Sequence, residues 1–295
     1  MQNNKNITLT QDTHSSILDE LQSDQLPVLP PGAPFLLKTL SNENISMKDL
    51  AGIIERFPNI AARLITLSNS AWSSPASAIS SLDVACARLG FSIVRSVSIA
   101  LAVSSPFNAN HCPAFDPVRY WCSSIMVADA SSWLASVIPQ QIKLDVATAR
   151  AAGLLHNLGL LWLTDKLPRE MQKVFMHLQH EPEMHLNQTL YDTLGIFCHS
   201  ASGRLAQHWC LPEILVIAMS EQSNEVYADR HWELTAVVGE AVNMVSSLFH
   251  NVPWPEDTQR LSRLSVQRNI ANDLFERLST QFARTHELAQ TLFKS

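Results

Sequence analysis

The sequence is poor in glycine, and it lacks long apolar runs. Eight of its 295 residues are glycine, or about 2.7%, whereas glycine makes up roughly 7% of ordinary proteins. Sheet-rich folds need glycine at hairpins and bulges, so this shortage argues against them. No apolar run approaches the roughly 18 residues that span a bilayer. The N-terminal stretch MQNNKNITLTQDTHSS lacks the apolar core of a signal peptide, so we expect a cytoplasmic protein with no membrane partner.

Charged residues are also few, and their balance is acidic. They make up 16% of the chain, and 21 Lys and Arg against 27 Asp and Glu give a net charge of −6. Proteins that bind the phosphate backbone usually carry the opposite sign, so we expect no nucleic-acid partner. The five cysteines are widely spaced and include no Cys-x-x-Cys pair, which argues against a disulfide framework and a cysteine-rich zinc site.

Signals for the start and end of helices follow one another along the chain. Ser46, with Asp49 at the third position after it, resembles a capping box, and Pro58 ends that helix. Gly90 is placed as the C-terminal cap of a helix over 80–89. The pattern predicts an all-α protein. Further helices are predicted over 92–103, 203–209, 212–219, 231–249 and 265–293, and from Asp116 to Pro139, from Asp145 to His156 and from Pro168 onward.

One segment carries a chemically suggestive motif. Residues 153–159, GLLHNLG, resemble the "GLLHDIG" segment of the HD superfamily of metal-dependent phosphohydrolases, and more closely the HD-related output domain (HDOD) of bacterial signalling proteins. The resemblance covers about residues 26–222. Shorter stretches that resemble the same family, in the same order, are 26–30, 67–71, 79–90, 121–128 and 203–214.

This resemblance implies a domain organisation. We expect an HDOD-like domain over residues 26–226, preceded by an N-terminal extension over 1–25 and followed by a C-terminal helical extension over 227–295. Within the domain, residues 104–116 are rich in proline and asparagine and have no helical period, so they are the best internal boundary. The resemblance therefore implies two helical lobes, 26–104 and 117–226.

The resemblance also implies where metal ligands would lie. In the active enzymes the His-Asp pair ligates a metal together with an upstream histidine and further downstream ligands, and the metal activates water against a phosphate ester. In this chain most of those ligand types are replaced. The aligned positions are Ser123 for the upstream histidine, His156 and Asn157 for the pair, His199 for a downstream histidine, and Gln222 and Ser223 for the usual His-His pair.

The remaining set is a poor metal site. Two neutral imidazoles without a carboxylate seldom hold a divalent metal that must also bind phosphate. We therefore predict a degenerate site with no metal and no cofactor. His156 is also interpretable as a hydrogen-bonded histidine at a helix end. Asn157 is interpretable as a helix C-terminus, since asparagine tolerates the left-handed conformation.

A second group of possible ligands, three histidines and two glutamates, lies further along the chain. Pro182 breaks the helix within the group, and no closed ligand geometry is implied, so we interpret it as a solvated surface patch. The group consists of His177, His180, Glu181, Glu183 and His185.

Two features bear on protein partners. Trp254 lies between two prolines, and it is the tryptophan that we most expect to be exposed, as an interface residue. The helix predicted over 265–293 has an apolar stripe that either packs on the domain or mediates homodimerisation or partner docking. The stripe consists of Ile270, Leu274, Leu278, Phe282, Leu288 and Leu292.

These observations favour a non-catalytic signalling module that acts by binding another signalling protein, as the resemblance to HDOD output domains implies. Two alternatives stay open. One is a metal-dependent HD-type phosphohydrolase that acts on a nucleotide or a cyclic dinucleotide. The other is a pocket that binds nucleotide without hydrolysis, with Arg150, His156 and His199 as its lining.

Overall fold

The computed structural model of the protein describes residues 26–40, 45–75, 77–181, 184–255 and 258–293. The predicted extension over 1–25 lies outside these residues. The described chain is all-α and contains no strand, as the sequence predicts. Its helices are α1 (Ala33–Leu40), α2 (Met47–Ile54), α3 (Pro58–Ser68), α4 (Leu82–Leu89), α5 (Phe91–Ser104), α6 (Pro117–Val137), α7 (Val146–Leu155), α8 (Leu158–Lys166), α9 (Pro168–His180), α10 (Leu186–Leu194), α11 (Cys198–His208), α12 (Glu213–Glu221), α13 (Trp232–His250), α14 (Gln259–Arg263) and α15 (Arg268–Phe293).

The predicted caps set the helix boundaries. The side chains of Ser46, Asp116 and Asp145 each accept a hydrogen bond from the backbone N–H three residues later, a bond that is typically worth about 1 kcal/mol. Gly90 has a φ of 80° and joins α4 to α5 at a bend of 112°. No single described helix is both long and apolar enough to cross a bilayer, and only the bent pair α4–α5 reaches that composition when taken together.

Helix α6 lies at the centre of the fold. It is buried on most sides and has no polar stripe, which is typical of a helix surrounded by others. Helices α7, α13 and α15 pack around it, while α11 packs between α8 and α12. Helices α1 to α5 pack with one another, and α5 also contacts α6 and α7. The described hydrophobic core is therefore continuous from the N-terminal helices to the C-terminal helix.

A buried arginine ties three of these helices together. The Arg150 guanidinium, on α7, pairs with Asp129 of α6 and donates hydrogen bonds to Ser96 of α5 at 3.0 Å and to Ser132 of α6 at 3.3 Å. Because a buried cation is costly unless it is paired and hydrogen-bonded, this geometry fixes how the three helices pack.

The C-terminal helix differs from its predicted bounds. Ser265 has a φ of 55° and lies between α14 and α15, so the last helix begins at Arg268 instead of Ser265. The stripe residues Leu274, Leu278 and Leu288 are buried against the chain's own helices. The helix is therefore part of the core, and it also reaches the N-terminal helices, because it contacts α3.

The prediction that Trp254 is exposed is wrong. Its side chain is 5% exposed, its Nε1 donates a hydrogen bond to Glu240 Oε1 at 2.9 Å, and its ring stacks on Phe275 with the centroids 5.4 Å apart. The flanking prolines restrict the backbone, but they do not fix the direction of the ring. Long-range packing on α13 and α15 turns the ring inward.

We expect Arg150→Met to lower the free energy of unfolding by about 3–5 kcal/mol, because it leaves the Asp129 carboxylate largely buried and without its cation. Equilibrium urea unfolding measures the loss. The control is Arg230→Met, which removes an ion pair to Glu213 whose side chains are 72% and 54% exposed, and it should cost under about 1 kcal/mol. Equal losses in the two variants would contradict this prediction.

Candidate functional site

His156 and Asn157 connect α7 to α8, and we call this connection the HD-like turn. The imidazole is buried, and its Nδ1 lies 2.7 Å from the Gly153 carbonyl oxygen. Since a carbonyl only accepts, Nδ1 carries the proton and donates. This is the hydrogen bond that the interpretation of a helix-end histidine predicts. Burial lowers the pKa of His156 to about 4, against the smaller opposing effect of the Gly153 carbonyl, so the ring is neutral at pH 7.

Asn157 does not adopt the left-handed conformation that the sequence suggested. Its φ is −111°, so the prediction of a left-handed conformation is wrong, although the residue does lie at the end of α7, between the C-cap His156 and α8. Its side-chain oxygen accepts a hydrogen bond from the Cys198 thiol, and its backbone oxygen accepts one from the Tyr120 hydroxyl at 3.2 Å. The residue in the aspartate position is therefore engaged in bonds within the protein.

The two glycines of the GLLHNLG segment allow close helix packing on either side of the turn. A Cβ at Gly153 would lie 2.7 Å from the Val127 carbonyl oxygen of α6. A Cβ at Gly159 would lie 2.4 Å from the Ser202 nitrogen of α11. Both distances are too short for any other residue without movement of the backbone. The motif thus has a structural reason that is independent of metal chemistry.

His199 lies on α11 and is half-buried. Its Nδ1 is 3.1 Å from the Ser223 hydroxyl, within hydrogen-bond distance, and its ring stacks on Phe197 with the centroids 5.2 Å apart. Burial lowers the pKa of His199, and the negative charge of Glu221 opposes that effect. The polar neighbour of His199 is thus Ser223, a position that the resemblance assigns to a second histidine.

Gln222 is the residue that joins the turn to α12. Its Nε2 donates to the His156 carbonyl oxygen at 2.8 Å and to the Met219 carbonyl oxygen at 3.2 Å. The resemblance places Gln222 where the His-His pair would fall and predicts no role for its side chain. No signal in one sequence reveals such a bond, because its two ends lie 66 residues apart.

The structure brings only part of the predicted site together. His156 and His199 are linked to the adjacent residues Gln222 and Ser223. No described hydrogen bond joins Ser123 or Arg150 to this group, and the Arg150 guanidinium is engaged by α5 and α6. The nucleotide pocket lined by Arg150, His156 and His199 stays a prediction.

The donor set does not fit a divalent metal. Among the described residues, no three His, Cys, Asp or Glu side chains are grouped so that they could hold an ion. Asn157 has a neutral amide, and its oxygen already accepts from a thiol. The amide nitrogen of Gln222 donates to the turn and offers no lone pair to an ion, and its amide oxygen, which is buried without a hydrogen-bond partner, would be a single neutral ligand. We therefore derive no reaction step through a metal at this site.

The second histidine group lies on the surface. His177, His180, Glu181 and His185 are exposed, and α9 ends at His180. Glu183 lies outside the described residues. The interpretation as a solvated patch is confirmed for the four residues that the structure describes.

The sequence matches the family model of the HDOD domain over residues 26–225. The chain belongs to the HDOD family. None of the curated proteins matches this HDOD chain.

Several solved structures resemble this HDOD protein along most of its length. A Marinobacter aquaeolei VT8 protein, provisionally assigned to signal transduction, has 24% identity and a TM-score of 0.79, covering 97% of this chain and 68% of the other. A Geobacter sulfurreducens HDOD domain protein of unknown function has 19% identity and a TM-score of 0.69, covering 96% and 99%. A Shewanella amazonensis SB2B protein, provisionally assigned as a phosphohydrolase, has 23% identity and a TM-score of 0.65, covering 94% and 98%. At these identities the likeness shows the fold and leaves the activity open.

The buried His156 predicts a loss of stability in acid. In the unfolded chain the imidazole takes up a proton below its ordinary pKa of 6.5, whereas the folded pKa is about 4. The unfolded state then binds more protons, so the free energy of unfolding should not depend on this group above pH 6.5 and should fall by about 3 kcal/mol between pH 6.5 and pH 4. Urea unfolding near pH 7 and near pH 4 measures the fall.

Two variants isolate this contribution. His156→Gln removes the titrating group and should lose about 3 kcal/mol less than the wild type on acidification. His180→Gln, at an exposed position, should follow the wild type. If the stability difference between His156→Gln and the wild type is the same at both pH values, the assignment is wrong.

Proposed function

We propose that this HDOD protein is a non-catalytic regulatory module that acts through protein–protein interaction. The observation that carries the proposal is the hydrogen bond from Gln222 Nε2 to the His156 carbonyl oxygen at 2.8 Å. An amide that donates into the HD-like turn stands where the family commonly supplies an imidazole, so the turn is held by the protein instead of by an ion.

The other ligand positions support the same proposal. Asn157 adds no negative charge, and its oxygen is bonded to Cys198. His199 has the Ser223 hydroxyl beside its Nδ1. A catalytic divalent metal needs several anionic or imidazole ligands and an open position for substrate, and this donor set supplies neither a carboxylate nor a third imidazole.

The C-terminal helix favours a different protein as the partner over a second copy docked through this helix. Leu274, Leu278 and Leu288 of α15 already pack on the chain's own helices, so its apolar stripe is not free to form a homodimer. The Marinobacter aquaeolei VT8 protein, provisionally assigned to signal transduction, is consistent with a signalling partner.

Reconstitution tests this proposal. Affinity capture from the cells that express the protein should identify the partner. Titration of the purified protein with the purified partner should then give a saturable complex of fixed stoichiometry. Since no metal is required, an excess of EDTA should leave the dissociation constant within about twofold. Nucleoside triphosphates and cyclic dinucleotides, incubated with the protein and Mn²⁺ or Fe²⁺, should yield no product.

Two outcomes would contradict the proposal. Product formation that EDTA abolishes would favour the metal-dependent phosphohydrolase. Calorimetric heat of binding with a cyclic dinucleotide that is lost in His199→Ala, with no product formed, would favour a nucleotide sensor instead.

A further inference from the structure

A buried polar cluster lies behind the HD-like turn. Gln222, Glu240 and Arg260 are 5%, 0% and 3% exposed. Glu240 and Arg260 belong to α13 and α14, beyond the residues 26–225 that match the family. Buried charges persist only where partners compensate for the loss of water, so the cluster must be held by specific contacts.

Within this cluster, Arg260 contacts Gln222, the residue that is bonded to the HD-like turn. Its Nη2 donates to the Gln222 backbone oxygen at 2.8 Å, and its Nη1 lies 3.5 Å from Glu225 Oε1. Burial lowers the pKa of Arg260, while the charges of Glu225 and Glu240 oppose that shift. The guanidinium is therefore bonded to the chain beside the HD-like turn and balanced by two carboxylates.

Glu240 holds the other side of the cluster. Its Oε1 accepts from Trp254 Nε1 at 2.9 Å, and its Oε2 accepts from Thr258 Oγ1 at 2.7 Å. These bonds hold Trp254 and Thr258, and Thr258 caps the start of α14, the helix that carries Arg260. The residue next to Glu240 must be glycine, because a Cβ at Gly239 would lie 2.4 Å from the Gln222 backbone oxygen and 2.7 Å from Arg260 Nε.

Gln222 joins this cluster to the turn. Its Nε2 faces the carbonyl oxygens of His156 and Met219. A flipped amide would place its oxygen against two other oxygens, so the orientation is fixed. Gln222 therefore makes two hydrogen bonds: its side chain donates to the His156 carbonyl, and its backbone carbonyl accepts from Arg260.

We propose that Gln222 and Arg260 form a latch through which the C-terminal segment, α13 to α15, holds the HD-like turn in place. Release of Arg260 from the Gln222 carbonyl loosens the turn, and disorder of the turn weakens the attachment of α14, since coupling between two sites is reciprocal. Through the latch, a molecule that binds the C-terminal segment would change the order of the HD-like turn. The coupling itself does not depend on the proposed function.

Hydrogen exchange of the full-length protein, followed by mass spectrometry, tests the latch. Arg260→Met should speed exchange of the amides at residues 156–160 by roughly tenfold, while the central helix α6 stays within about twofold. The matched control is Arg263→Met. Arg263 lies on the same helix and donates to the Glu225 and Tyr227 carbonyls, but it does not reach Gln222, so the turn should keep its wild-type rate.

Three outcomes would overturn the proposal: an unchanged turn in Arg260→Met, an equal rise in exchange at α6 and the turn, or the same effect at the turn in Arg263→Met. If Arg260→Met does not fold, Gln222→Met decides. It removes the amide that bonds the turn but keeps the carbonyl that binds Arg260, so it cuts the coupling on the side of the turn. The turn should then loosen while α14, still bonded to the Gln222 carbonyl, stays protected, and an unchanged turn would refute the latch. No partner, metal or nucleotide enters this experiment, so its failure would leave the proposed function standing.

Discussion

The site depends on the hydrogen bond that the Gln222 side chain donates to the His156 carbonyl oxygen. One amide group bonds the His156 carbonyl, and the backbone carbonyl of the same residue accepts from Arg260. The HD-like turn is thereby connected to α12 and to a C-terminal segment that lies outside the family match. Without this residue, the turn would lose its bond to α12, and Arg260 would have no bonded route to the turn.

Other polar contacts engage the residues around the HD-like turn. His156 stays neutral because it is buried and already donates to the Gly153 carbonyl. Asn157 is held by Cys198, and His199 lies beside Ser223. His156, Asn157 and His199, which the resemblance assigns to metal-ligand positions, each have a polar partner within the protein at hydrogen-bond distance. A turn held in this way retains the fold of the family.

The sequence predicts most of the helices correctly because their signals are local. Ser46, Asp116 and Asp145 cap as expected, and Gly90 adopts the positive φ that its place after α4 implies. Residues 153–159 also point to the family, since their two glycines are required by close helix contacts. The caps and Gly90 depend on neighbours within a few residues, and the two glycines of 153–159 are visible in the sequence by residue type, although the contacts that require them are long-range.

The errors come from contacts between distant parts of the chain. The direction of Trp254 depends on Glu240 and Phe275, and the bond of Gln222 to His156 crosses 66 residues. Asn157 was open to two interpretations, and packing against Cys198 and Tyr120 selects a conformation that is not left-handed. Residue propensities do not encode such pairings, so these parts of the site required the structure.

The metal content of the purified protein tests the central claim most directly. Elemental analysis by mass spectrometry, after expression in medium supplied with iron, manganese and zinc, should find well under one metal ion per chain, with the same content in His156→Ala as in the wild type. One bound ion per chain in the wild type, lost in His156→Ala, would contradict the account.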